Sequence, residues 1–307
     1  MVQQERATAR SRAPLGLAAI ALAAALWALG AVIAADLFAD GVPPLELAEA
    51  RSVVSALGLA LLPAAWRRPP LAPAAAVRRS LVTLGVCIGL VNAVYYVAIE
   101  RLPVAVALVL QYTAPALVVV YSALRLRKKP GNDVMVAVVL ALAGVALVSG
   151  LVGAEVAAVD GLGILMGLAS AVLFATYTLV GAAVVRTYGP VGAMFRAFSI
   201  AGALWICWQS LNGFPIELFE PANLPRVILV GVVATLTPFL LYLWGVERVK
   251  AERAAIAATL EPVLGALVAW IFLNQSLSAV QLVGGALVVG AVVLIQMSRA
   301  APPAPEL

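Results

Sequence analysis

The sequence predicts an all-α integral membrane protein: ten transmembrane helices arranged as two inverted five-helix repeats, with both termini cytoplasmic. Three observations carry this. Hydrophobic residues make up 64% of the 307 and charged residues 11%, with a mean hydropathy of +1.06, whereas soluble domains run near ~45–50% apolar and ~25% charged. The apolar runs are about 20 residues long and rich in Ala, Leu and Val, unlike the alternating segments of ~10 residues that make a β-barrel. Finally, the stretch NAVYYVAIERLPVAVALVLQYTAP (92–115) recurs 147 residues later as FLLYLWGVERVKAERAAIAATLEP (239–262). The shift lays Tyr95 on Tyr242, Glu100-Arg101 on Glu247-Arg248, and Pro115 on Pro262.

Apolar windows bounded by charge, Pro and Gly give the spans in order. The first, 15–38, follows Arg6, Arg10 and Arg12 but exceeds the 7–15 apolar residues of a signal peptide, so it reads as a span. The second, 44–66, ends at a basic loop over 67–79, and the third is 79–100. A tight hinge, Glu100-Arg101-Leu102-Pro103, leads to the fourth, 102–124, which ends at the basic loop Arg125–Lys129 before the fifth, 132–151. The second half supplies 160–183, 189–210, 224–247, 249–273 and 276–298. The tails, 1–12 and 300–307, are polar or Pro-rich and read as disordered.

Topology follows from charge. Allotted to alternate sides, sixteen of the 20 Lys and Arg fall on one side and two, Arg101 and Arg226, on the other, while Arg51 and Arg196 lie within spans. The positive-inside rule then puts both termini in the cytoplasm. Asp36, Asp40, Glu155, Asp160, Glu217 and Glu220 occupy the outer loops. Five spans per repeat, an odd number, turn the second half upside down relative to the first, dividing the chain into 1–151 and 152–307 as one transport unit. Trp27 on Phe174, Pro43 on Pro190 and Arg79 on Arg226 keep the register, and Arg51 meets Arg196 after a two-residue gap.

Several functions are disfavoured, with a channel or a membrane-embedded enzyme kept as alternatives of a different class. The chain has no histidine, which removes the commonest metal ligand and general base. Cys87 and Cys207 lie inside apolar runs and read as packing residues rather than a disulfide. No paired mid-membrane acids suggest an enzyme, no ring of charges suggests a channel, and no Walker sequence suggests an ATP-driven pump. Neither a metal nor a cofactor is expected, and the net charge of +5 reflects topology rather than a nucleic-acid partner.

The block Arg101-Leu102-Pro103-Val104-Ala105-Val106-Ala107, continuing to Pro115 and the basic loop, resembles the fourth-helix pattern of the drug/metabolite transporter superfamily, EamA type. Ala251–Pro262, with Gly284-Gly285 and Gly290, resembles its C-terminal repeat. The resemblance covers roughly 15–298 and implies a ten-helix carrier of the inner (plasma) membrane that exports amino acids or small metabolites. Bacterial aromatic amino-acid exporters belong to the same superfamily. Two mates differ: Pro103 falls on Lys250, and Glu261 falls on Ala114.

Substrate in such carriers sits near the bilayer midplane at the repeat interface. The mid-span residues able to line a site there are Trp27, Asn92, Tyr95, Gln111, Tyr112, Phe174, Tyr177, Phe239, Tyr242 and Glu261. Asn92 with Tyr95 and Phe239 with Tyr242 share helix faces at i, i+3, as Gln111 and Pro115 do at i, i+4. For the aromatics the competing reading is core or lipid packing, and for Asn92 and Gln111 it is an interhelical hydrogen bond. Glu261, a carboxyl at the membrane centre, either couples export to protons or orients a substrate amine, or else serves as a structural acid. Pro115 and Pro262 each remove a backbone hydrogen bond and mark matched gating bends. Arg51 and Arg196 read as structural, and Trp205 and Trp208 as interfacial. The expected cargo is a small amphipathic solute, foremost an aromatic or other apolar amino acid. Phosphorylated solutes rank lower, because no Lys or Arg is expected deep in the cavity.

Overall fold

The computed structural model describes residues 2–69, 73–102, 104–127, 129–149, 160–249, 251–273 and 278–297, and throughout these the regular structure is helical. The expected segments are largely helical, with breaks inside several of them. Val2–Ala39 forms α1, which is helical through 2–12, against the disorder expected there, Pro44–Ala60 forms α2, and Ala75–Arg101 α3. The fourth segment is split into α4, Val104–Gln111, and α5, Ala114–Leu126, and the fifth is α6, Asn132–Val148. Segments six and seven form one 52-residue run, α7, Gly161–Asn212, bent at Gly189. There φ is +70°, a conformation open to glycine, and Pro190 follows to break the hydrogen-bond ladder. The eighth segment is α8, Leu224–Gly231, a π-helical turn over Val232–Leu236, and α9, Thr237–Val246. The ninth is split into α10, Ala251–Ala258, and α11, Leu260–Leu273, and the tenth is α12, Ala279–Met297.

Among the described residues five helical stretches are long and apolar enough to cross a membrane: Pro14–Ala34, Ala75–Arg101, Val106–Arg125, Gly161–Asn212 and Leu224–Val246. Asn132–Val148 and Ala279–Ile295 are apolar but shorter. The hinge between the third and fourth segments is visible at Leu102, which is extended (φ −127°, ψ 153°); Pro103 lies outside the described residues.

The helices pack with contacts that are reciprocal under the 147-residue shift. Gly16 of α1 sits against Arg248 and Val249, and its mate Gly163 of α7 sits against their mates, Arg101 and Leu102. Likewise Gly144 of α6 and Gly284 of α12 lie against each other's backbone, and their mates, Ala291 and Ala137, share one buried cluster. The contacts thus follow the internal repeat of the sequence. The small residues matter because a Cβ on Gly16, Gly163 or Gly284 would come within 3.0 Å of the neighbouring segment.

Candidate functional site

The helix breaks position the site, and each has a proline behind it. Proline has no N–H, so the carbonyl four residues earlier loses its helical partner. Pro115 thereby separates α4 from α5 at Tyr112-Thr113, where the Thr113 hydroxyl donates to the Leu110 carbonyl (2.7 Å). Pro262 does the same between α10 and α11, where the Thr259 hydroxyl donates to the Ile256 carbonyl (2.6 Å). Pro238 releases the carbonyl of Ala234, and the preceding π-helical turn is satisfied by side chains: Thr235 donates to the Val230 carbonyl at 2.8 Å and Thr237 to the Val232 carbonyl at 2.9 Å.

A cavity of about 230 Å³ lies among these breaks, smaller than the ~300–1,000 Å³ of sites for drug-sized ligands. Trp27, Phe174 and Phe239 give it aromatic walls, and Asn92 and Gln111 contribute amides. Tyr95, Tyr112 and Glu261 also line it. The Tyr112 hydroxyl donates to Glu261 Oε2 at 2.6 Å, joining the break in the first half to its mate in the second. Thus eight of the ten residues singled out from the sequence face one volume.

The other two do not. Tyr177 and Tyr242 lie behind the cavity in a dry aromatic plug, stacked at 5.4 Å between ring centroids and fully buried. The Tyr242 hydroxyl is 2.9 Å from that of Thr178. Trp27 and Phe198 close the cluster edge-on against Phe239, at 5.3 and 5.7 Å. The ring faces are used by one another, so these tyrosines act here as core.

Arg51, expected to be structural, is tied to neighbouring helices and also lines the cavity, with its side chain 7% exposed. Nε donates to Thr235 Oγ1 (2.7 Å), Nη1 to the Tyr96 hydroxyl (3.0 Å), and Nη2 to the Ala234 carbonyl that Pro238 released (3.1 Å). Its counterpart Arg196 keeps the structural role, donating to the carbonyls of Ala65, Gly192 and Arg67 and lying over Tyr188. Trp205 is also corrected: it is buried and donates to the Gly89 carbonyl (3.1 Å), tying α7 to α3, whereas Trp208 is exposed.

The cavity is one-ended. Along α1 its lining runs from Trp27 to Phe38, and along α3 from Val91 to Ile99. The N-terminal halves of those helices, with Leu17, Ile20, Leu84 and Ile88, are sealed into the same core as the plug. Ion pairs frame the cavity end, Arg101 to Asp160 at 3.1 Å and Arg226 to Asp40 at 2.5 Å. At the plug end Arg248 instead pairs with its neighbour Glu247 and stacks on Trp244.

The EamA-like transporter family matches the chain twice, over residues 14–150 and 161–297, and the two matches are themselves offset by 147 residues. The threonine/homoserine exporter RhtA of Escherichia coli (strain K12) is 28% identical over 87% of this chain and 85% of its own length. An uncharacterized transporter of Archaeoglobus fulgidus is 29% identical over 70% of this chain and 76% of its own. A solved crystal structure aligns with a TM-score of 0.75 at 19% identity, covering 92% of this chain and 96% of that one, which is a likeness of fold. The chain belongs to the EamA-like transporter family of the drug/metabolite transporter superfamily and is a multi-pass membrane transporter, not an enzyme.

Proposed function

We propose that this transporter is a secondary exporter of small amphipathic metabolites, foremost aromatic or other apolar amino acids, working by alternating access around the cavity that Trp27, Asn92, Tyr95, Gln111, Tyr112, Phe174, Phe239 and Glu261 line. The observation that carries the reading is a small, one-ended cavity between two equivalent units, with aromatic walls, one carboxyl and one guanidinium. The apolar walls suit the side chain of an aromatic or other apolar amino acid, and Glu261 meets its ammonium group or a proton. That a relative is named a threonine/homoserine exporter supports amino acids as a class and adds small hydroxylated ones to the candidates.

In this reading the chain crosses an inner membrane ten times as two inverted five-helix repeats, 1–151 and 152–307, with both termini cytoplasmic. The cavity end, near Phe38 and Ile99, faces outside, and the plug closes the cytoplasmic side. Arg51 gives one observation to the alternative of a phosphorylated solute. Against that alternative stand a single guanidinium and a carboxyl lining the same cavity, which repels a dianion.

The test is transport by purified protein in liposomes with labelled phenylalanine, leucine, threonine and homoserine, with and without an imposed pH gradient. Transport of at least one of the four is expected. Failure of all four, alongside transport of a sugar phosphate, would replace the proposal with its alternative.

A further inference from the structure

We infer that Arg51 is the carboxylate anchor of this transporter, so that its substrates are recognised as zwitterions, with the acid group at Arg51 and the amine at Glu261. The inference rests on the amino-acid export proposed above and adds the group that selects for it.

A guanidinium carries five N–H donors. Three are used by Thr235, Tyr96 and Ala234, leaving one on each Nη. All three acceptors are neutral, and among the described residues no carboxylate lies within ion-pair distance of Arg51. Glu261 lines the same cavity but is bonded to Tyr112. A buried cation without an anion is costly in protein, and more so in a membrane, unless a partner arrives. The partner must reach it through the cavity, and the two spare N–H groups suit the two oxygens of a carboxylate.

The surroundings fix the fork in place. Thr235 sits in the π-helical turn and turns its hydroxyl hydrogen back to Val230, leaving its lone pairs to accept from Nε. Pro238 frees the Ala234 carbonyl for Nη2. Ser55, one turn along α2, donates to the Gly231 carbonyl (2.8 Å) and so fastens α2 to α8 beside the bulge. An irregular helix thereby holds one cation on neutral acceptors, with the Glu261 carboxyl across the same cavity and beyond ion-pair distance. Arg196, with its bonds to three backbone carbonyls near the end of the bundle, shows what a merely structural arginine looks like in this fold.

The experiment uses wild-type protein in liposomes and compares leucine, threonine and phenylalanine with their carboxamides, at about pH 6, where the α-amines of both sets are protonated. Each amide should be transported with half-saturation at least about thirtyfold higher than its acid, the size expected when one partner of a buried charge pair is removed. In Arg51→Gln that acid-over-amide preference should fall to near one, and Arg51→Lys should keep part of it, because a point charge replaces a fork. If Arg51→Gln fails to fold, the wild-type series alone decides. Equal handling of acids and amides by the wild type, or preference retained in Arg51→Gln, overturns the assignment while leaving amino-acid export intact. Transport of neither series overturns the export reading and this inference with it.

Discussion

The cavity and the plug occupy opposite ends of the bundle and are made from the same parts. Shifting cavity residues by 147 carries Tyr95 onto Tyr242, Gly30 onto Tyr177, Tyr96 onto Leu243, Ile99 onto Val246 and Gln111 onto Ala258, all members of the sealed core. In the reverse direction Ala234 falls on Cys87, another plug member. At these positions one mate is wall and the other is packed solid, whereas Trp27 with Phe174 and Asn92 with Phe239 are mates that both line the cavity. Trp27 Nε1 and the Tyr177 hydroxyl are buried without a hydrogen-bond partner in the protein, and contact with water would satisfy them. In the alternating access proposed above, the two environments would exchange.

The largest effect should come from weakening the plug. Tyr242→Ala removes a ring packed against Trp27, Phe174 and Tyr177, and such truncations cost about 3–5 kcal/mol. Applied to the plugged state alone, ~3 kcal/mol is roughly a hundredfold shift in population, at tenfold per ~1.4 kcal/mol. Cys87, buried in the plug, is a native reporter once the exposed Cys207 is replaced by Ser. Its reaction with an impermeant maleimide should accelerate by up to about a hundredfold in Tyr242→Ala, from the Arg248 side only. Unchanged labelling would mean that the plug is permanent core and not a closed pathway.

Next in size is the asymmetry at the mated breaks, where Glu261 stands opposite Ala114. Glu261→Gln keeps an acceptor for Tyr112 but removes the charge. If the carboxyl carries a proton or meets the amine, the variant should lose the response to an imposed pH gradient, with uptake reduced about tenfold or more. A variant that keeps both would return Glu261 to a structural role. Tyr112→Phe should have a smaller effect, about three- to tenfold, since it deletes one hydrogen bond to the carboxyl and no charge.

Much of this architecture was legible because membrane helices declare themselves by length and apolarity, and because the repeat multiplies each signal by two. The breaks at Pro115 and Pro262 follow from a missing N–H, a local property that sequence states outright. Eight cavity residues were legible as polar or aromatic groups in mid-span. Tyr177 and Tyr242 carry the same signature and landed in the plug, because spacing gives the face of a helix but not which end of the bundle is open. Arg51 was missed for a different reason: its partners, Thr235 and Ala234, lie more than 180 residues away, and only packing of α2 on the π-helical turn reveals them. The signal that pointed to it was the Thr235-x-Thr237-Pro238 cluster, since two threonines and a proline in one turn loosen a helix just where a cation would find acceptors.

The smallest predicted effect tests whether the two ends are as equivalent as their parts. Pro115→Ala restores an N–H facing Gln111, and Pro262→Ala one facing Ala258, so each variant heals one break and stiffens one half. Healing a bend changes the ease of moving between states more than it changes the cavity wall. Turnover should therefore slow by roughly three- to tenfold in each variant, while substrate binding, measured by equilibrium displacement, stays within about twofold. If the two bends serve the two ends in turn, the single variants should slow opposite half-steps, and Cys87 labelling should rise in one and fall in the other. Parallel changes in both would show that the bends act as one hinge, and that the exchange of environments between cavity and plug is driven elsewhere, at the close-packed glycine contacts of α1, α3 and α7.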